Sequence, residues 1–218
     1  MKRYKIAFFD LDGTLTDSAL GITNSILYAL DQFGIHVENR ESLYKFIGPP
    51  LRDSFQRYYH FSPEQTEQAV EFYHVYFSDK GIFENQVYAG VPEMLADLKS
   101  HGVTAVVASA KPEVFVKQIL QRFGLDGYFH FIGGAGQKTR TRKAEVVRYV
   151  LDALADLDKR EIVMIGDRED DITGAKRNQL DTIGVLYGFG SREELQAAGA
   201  DYLVETVEEL HGKLIHGV

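Results

Sequence analysis

The chain has 218 residues, enough for one or two domains with a sizeable core, and its 44% hydrophobic and 26% charged content is that of an ordinary globular protein. A formal net charge of −8 argues against a general binder of nucleic-acid polymers, yet small anionic substrates stay open because a local pocket can oppose the global field. Cysteine is absent, which excludes disulfides and thiolate chemistry.

The basic start, Lys2, Arg3 and Lys5, precedes an apolar run at 6–9 that is too short for a secretory signal, and no window approaches a membrane span. The expectation is a cytoplasmic protein without a membrane partner. Residues 6–9 read as a buried strand, and it delivers Asp10, Asp12 and Gly13 in quick succession. Two carboxylates so close repel each other unless something positive sits beside them. A calcium loop of the EF-hand type fails, because its sixth and twelfth positions, Leu15 and Gly21, lack the required glycine and glutamate. A solvated turn is the other bland reading.

From 17 to 83 the pattern is one helix after another: 19–33, with Ile22, Ile26, Leu30 and Phe33 on one side, then 41–47, 51–59 and 62–80. Ser62 and Pro63 give the last of these an N-cap and a proline at its first position, and Gly81 is placed to end it. Gly48-Pro49-Pro50 makes a stiff turn, with Arg52 beside it as a candidate anion contact. Tyr58, Tyr59, Tyr73 and Tyr76 read as core more readily than as partners of a nucleobase. An all-helical block directly after a first strand reads as an inserted domain, 17–83, leaving 1–16 and 84–218 as the main body.

Beyond the insertion, short apolar runs at 104–108, 162–165 and 182–186, with weaker ones near Phe131 and Tyr202, alternate with helical patterns at 92–99, 112–123 and 144–154. That rhythm predicts βαβ units, a parallel sheet and a three-layer α/β/α core whose ligands lie beyond the carboxyl ends of the strands. Ser109 ends one strand and Pro112 opens the next helix, so a hydroxyl and free N–H groups there could hold an anion, with Lys111 as a further cation. The stretch "GGAGQKTRTRKAE", 133–145, is not a P-loop, since Gln137 stands where glycine must precede the lysine. It leaves Lys138 and Lys143 as alternatives for a lysine that reaches the acidic edge. The strand at 162–165 then ends in Asp167, Asp170 and Asp171. Two strands that both discharge carboxylates at one sheet edge call for a cation or bound protons, and oxygen ligands alone favour Mg²⁺.

Asp-x-Asp, then Ser, then Lys, then Gly-Asp-x-x-x-Asp, on a βαβ scaffold, resembles the haloacid dehalogenase superfamily along the whole chain. "DLDGTLTDS" (10–18), "VASAKPE" (107–113) and "IGDREDDI" (165–172) carry the likeness. "FIGPPL" (46–51) and "GVLYGFGS" (184–191) are similar to its phosphoglycolate phosphatase and 5′-nucleotidase branch, in which a helical cap follows the first motif. The resemblance implies a Rossmann-like α/β core with an inserted all-helical cap. It implies Asp10 as the nucleophile that becomes an aspartyl phosphate and Asp12 as the acid and then base. Ser109 and Lys143, with Lys138 the competing register, would stabilise charge. Mg²⁺ would be held by Asp10, the Asp12 carbonyl and Asp167, with Asp171 as ligand or neighbour. Gly13, Thr14, Ala110, Lys111 and Arg52 would meet the substrate.

The function so implied is a Mg²⁺-dependent phosphomonoesterase acting on a 5′-nucleotide or 2-phosphoglycolate, as a monomer whose insert covers its own site. A dehalogenase would have no use for Asp12, and a phosphonatase would need a Schiff-base lysine from the cap. A phosphomutase of the β-phosphoglucomutase type, or a binding protein that kept the fold without turnover, are the alternatives.

Overall fold

Strands and helices appear where the apolar runs place them, in a computed structural model that describes residues 2–136, 139–154 and 158–217. By its internal contacts the chain divides into two compact units, Met1–Thr16 with Val87–Val218, and Asp17–Gln86. No described helix is long and apolar enough to cross a membrane.

The first unit holds a six-stranded sheet. Its strands are β1 (Ile6–Phe9), β4 (Thr104–Pro112), β5 (Phe129–Ala135), β6 (Ile162–Gly166), β7 (Asp181–Val185) and β8 (Tyr202–Val204), in the order β5-β4-β1-β6-β7-β8. Every adjacent pair is parallel. Two-residue strands, β2 (Thr16–Asp17) and β3 (Gln86–Val87), form a separate sheet where the chain enters and leaves the insertion. Register fixes the site: Phe9 lies level with Val107 and Ile165, so Asp10, Ala108 and Gly166 come at the same level, where β1 ends. The strand order reverses across β1, where open parallel sheets bind their ligands.

Helices α4 (Val91–Ser100), α5 (Glu113–Arg122), α6 (Lys143–Ala153), α7 (Glu169–Arg177), α8 (Arg192–Ala197) and α9 (Val207–His216) complete this unit. The β4–α5–β5 crossover steps outward and β5–α6–β6 steps back across β1, so right-handed connections put α5 and α6 on opposite faces. Phe8, Val106 and Met164 pack with Val146, Val147 and Val150 of α6 and Ala175 of α7. Side chains alternate along a strand, so Ala7 and Phe9 fill the other face, fully buried.

Several boundaries differ from the sequence reading. The strand expected to stop at Ser109 runs on to Pro112, and the helix starts at Glu113. On α5 the buried side is Val116, Ile119 and Leu120, with Phe115 and Phe123 at its partly exposed margin.

The second unit packs α1 (Ala19–Asp31) against α3 (Pro63–Asp79), with α2 (Leu51–Tyr59) beside α3. The segment read as a helix at 41–47 is a 3₁₀ helix, Arg40–Phe46. Ser62 caps α3 in a reciprocal box with Gln65, as its spacing predicts. Gly81 does not end α3, which stops at Asp79; it opens a short 3₁₀ turn instead. The four tyrosines are packed within the unit. Tyr73 stacks on Phe77, Tyr58 and Tyr59 lie against Phe46, and Tyr76 meets Tyr28 and donates to Glu84.

Candidate active site

At the carboxyl edge of β1, β4 and β6 the carboxylates of Asp10, Asp167 and Asp171 converge, one oxygen from each lying within 4.8 Å of the others, and all three residues are buried. The Lys143 ammonium sits among them, 2.7 Å from Asp10 Oδ1 and 2.6 Å from Asp171 Oδ1, and donates to the Ala108 carbonyl at 3.0 Å. Lys143 is the first residue of α6, and Glu145 fixes that helix start by accepting from the Thr141 and Arg142 amides. Asp171 lies in the first turn of α7, where its Oδ2 accepts from the Arg168 amide. Lys138, the competing lysine, lies outside the described residues.

Two residues after Asp10, Asp12 Oδ2 meets the Lys111 ammonium at 2.7 Å, with under a tenth of either side chain exposed. Lys111, expected as a further cation at this edge, stands in a buried ion pair. Asp12 Oδ1 is buried without a hydrogen-bond partner among the described residues. Ser109 is buried on the same edge, and its hydroxyl oxygen accepts from the Lys111 amide at 3.3 Å. Ala110 lies between them on extended strand rather than in a helical first turn.

Gly13 turns the chain at φ +80°, and a Cβ built there would lie 2.2 Å from Asp167 Oδ2. Only glycine closes this turn over the carboxylate. Thr14 follows, its hydroxyl 3.5 Å from Asp167 Oδ1. Arg52 is in the other unit, where Glu67 grips its guanidinium with bonds of 2.6 and 2.7 Å. Asp170 is not among the converging carboxylates.

The electrostatics demand a further positive charge. One ammonium faces three carboxylates, which leaves two negative charges without compensation in a buried site. Apart from that ammonium, neither Asp10 Oδ1 nor Asp171 Oδ1 meets a hydrogen-bond donor among the described residues. Burial pushes Asp167 well above the usual carboxylate range, and the charges of Asp171 and Asp10 add to it. Burial also raises Asp171, to about 6, with Asp10 adding and Lys143 opposing. Burial would lower Lys143, but Asp10 and Asp171 outweigh it and hold the ammonium above the ordinary lysine range. An all-oxygen, buried, over-negative donor set fits a hard divalent cation.

Protons and a cation compete for these oxygens. A carboxylic acid raised in the folded state keeps a proton that the unfolded chain has lost, so its contribution to stability falls as pH rises from the ordinary 3.8 through about 6. The rise in melting temperature produced by Mg²⁺ is accordingly expected to be small at pH 5 and to grow by pH 7.5. Melting curves with Mg²⁺ or with EDTA across that range check it; an increment independent of pH would contradict it.

Sequence reasoning missed the segment after β7. The Phe189 amide donates to Asp167 Oδ2 at 2.8 Å, and the Tyr187 hydroxyl donates to the Thr14 carbonyl at 3.1 Å. It also missed Glu194, which accepts from Arg168 Nε and the Glu169 amide. The signal available was an aromatic–glycine turn directly after an apolar strand at the ligand edge.

The chain is similar to known proteins over most of its length. The family model described as haloacid dehalogenase-like hydrolase matches residues 7–185. A 5′-nucleotidase of Pseudomonas aeruginosa is 44% identical over 196 residues, 89% of this chain and 88% of that protein. The tyrosine-protein kinase PtkA of Mycobacterium tuberculosis is 33% identical over 213 residues, 96% of this chain and 72% of that one. The crystal structure of a predicted phosphatase from Clostridium acetobutylicum superposes with a TM-score of 0.95 at 49% identity, covering 98% of this chain and 99% of the other.

Proposed function

The chain belongs to the haloacid dehalogenase-like hydrolases and is a phosphatase of that family, and from this premise we propose that it hydrolyses nucleoside 5′-monophosphates with Mg²⁺ as its cation. The observation that carries the reading is the pairing of two differently equipped carboxylates on one turn. Asp10 lies among Lys143, Asp167 and Asp171, and Asp12 lies two residues on against Lys111. The first environment suits a nucleophile aimed at an anion, and the second sets a further carboxylate within two residues of it, where it can exchange a proton with the leaving oxygen and with water.

In the first step an Asp10 carboxylate oxygen attacks phosphorus, and the bond from phosphorus to the ester oxygen breaks. Asp12 gives its proton to that leaving oxygen, which departs as the nucleoside alcohol. Water then attacks the phosphorus of the aspartyl phosphate; Asp12 takes the proton, and Asp10 and inorganic phosphate are released. The Lys143 and Lys111 ammonium groups and the Ser109 hydroxyl, with the Ala110 amide, offset the charge on the transferred group, while the Gly13 and Thr14 amides are committed to the Thr16 and Leu11 carbonyls and shape the loop instead. Mg²⁺, held by Asp10, the Asp12 carbonyl and Asp167 with Asp171 beside them, would screen the repulsion between a phosphate dianion and the incoming carboxylate.

We assign the helical insertion, 17–83, the part of a cap that selects the ester. Arg52 would there exchange Glu67 for a substrate anion. The 5′-nucleotidase name of the Pseudomonas relative supports nucleotides ahead of 2-phosphoglycolate.

A panel of phosphate esters tests this. Inorganic phosphate release should show kcat/KM at least about tenfold higher for nucleoside 5′-monophosphates than for 2-phosphoglycolate or hexose phosphates, a gap of roughly 1.4 kcal/mol in transition-state binding. A preference for 2-phosphoglycolate would overturn the substrate class. Interconversion of hexose phosphates, or phosphate retained on protein tyrosines instead of released, would overturn the hydrolytic reading.

A further inference from the structure

We propose that the turn after β7, Tyr187 to Phe189, is a positioning element that presets Asp167 for the cation and so sets the affinity of the acidic cluster for divalent metal. The inference rests on the metal reading above and adds to it residues that hold no ligand themselves.

Asp167 is an awkward residue to hold still. It is fully buried, it follows β6 by a single step beyond Gly166, and it faces the repulsion of Asp10 and Asp171. Without a cation those charges push against it, and any displacement would have to be reversed when a cation binds. The Phe189 amide opposes that movement with a 2.8 Å bond to Oδ2. A backbone donor is a fixed dipole, so it orients the carboxylate without the rotamer freedom a side-chain donor would lose. Oδ1 meets the Thr14 hydroxyl at a longer 3.5 Å.

Something must in turn hold the Phe189 amide. Gly188 packs so closely that a Cβ on it would lie 2.3 Å from the Gly13 carbonyl oxygen and 2.4 Å from Asp167 Cβ. The backbone of this turn therefore lies directly against both the nucleophile loop and the Asp167 side chain. Tyr187 fastens it from the other side. Its hydroxyl donates to the Thr14 carbonyl at 3.1 Å, and its ring meets Tyr88 edge-on at 5.1 Å. Tyr88 is itself bound to the same loop through its amide, which donates to the Leu15 carbonyl at 3.1 Å. The turn thus links the loop that carries Asp10 to the carboxylate that must meet it. Partners of this kind, one layer outside the ligands, commonly change metal affinity about 10- to 100-fold when removed.

Tyr187→Phe keeps the ring and removes the bond to Thr14; Gly188→Ala brings a methyl group against Asp167. Binding of Mn²⁺ alone, followed by loss of the free-ion electron paramagnetic resonance signal, reads affinity without turnover. Melting in EDTA reads stability without metal. The expected result is about a tenfold weaker Mn²⁺ affinity for Tyr187→Phe, and at least that for Gly188→Ala, beyond any change in the metal-free melting temperature. Lower metal-free melting with wild-type Mn²⁺ affinity in both variants would make the turn merely structural and overturn the inference. Wild-type protein that takes up no Mn²⁺ would overturn the metal reading itself, together with what is built on it.

Discussion

Asp10→Asn is expected to lower kcat by about 10⁴-fold or more without unfolding the protein. The amide occupies the same volume and can still accept from Lys143, so packing against the sheet edge is retained. What it lacks is the electron pair of a carboxylate, and no neighbouring group can substitute. Asp167 follows β6 and Asp171 sits in the first turn of α7, both away from the β1 loop, and Asp12 is ion-paired with Lys111 through Oδ2. The change also removes one negative charge from an over-negative cluster, so the metal-free protein should melt no lower than the parent. Phosphate-release assays and melting in EDTA give the two readouts. Turnover above about 1% of the parent's would refute a covalent route through Asp10.

Lys143→Met should fail differently, in activity and in stability together. The ammonium is buried and bridges two carboxylates, and removing one member of such a group typically costs about 3–5 kcal/mol because unpaired charge stays behind. For a chain of this size that corresponds to a melting temperature lower by roughly 10 °C. The sign with pH follows from the ammonium's position above the ordinary lysine range: its contribution is complete at neutral pH and is lost only in strong alkali. Its removal lets Asp171 and Asp167 keep their protons to higher pH. The deficit relative to the parent should therefore be smaller at pH 5 than at pH 8, and Mg²⁺ should reduce it at pH 8. Equal melting of parent and variant in EDTA at pH 8 would show that Lys143 does not hold the carboxylates together.

Much of this site could be read from the chain because its members sit where two periodicities break. Asp10 and Asp167 each end an apolar strand, and a parallel sheet carries all such ends to one edge whatever the order of its strands. Lys143 was legible as the first residue of a helical pattern. Asp171 could be separated from Asp170 only by the Gly-Asp-x-x-x-Asp spacing of the family the chain resembles, and in the structure Asp171 accepts from the Arg168 amide. Lys111 was ambiguous for the opposite reason, since its partner is 99 residues away and no local pattern marks a long-range ion pair. The segment at 40–46 misled because a 3₁₀ turn and a short α-helix share the same few apolar positions. On α5, Phe115, Ile119 and Phe123 repeat at every fourth position, but of these only Ile119 is buried. The smaller Val116, Ile119 and Leu120 fit the sheet surface, and the bulkier rings lie at its border. The contact of Phe189 with Asp167 was invisible, because it is made by a main-chain amide that any residue type except proline supplies.

The insertion has a kinetic side. Ile6 must find Thr104 before β1 can join β4, with all of 17–86 between them. If that stretch were slack, the logarithmic law of ring formation would make this pairing about 2–3 kcal/mol more costly than closing a hairpin-sized gap. The paired two-residue strands at its ends change the arithmetic: once folded, the insertion hands the chain back beside the point where it left. A segment that lengthens the polypeptide thus shortens the search, and the order of assembly should run from the inserted helices to the sheet.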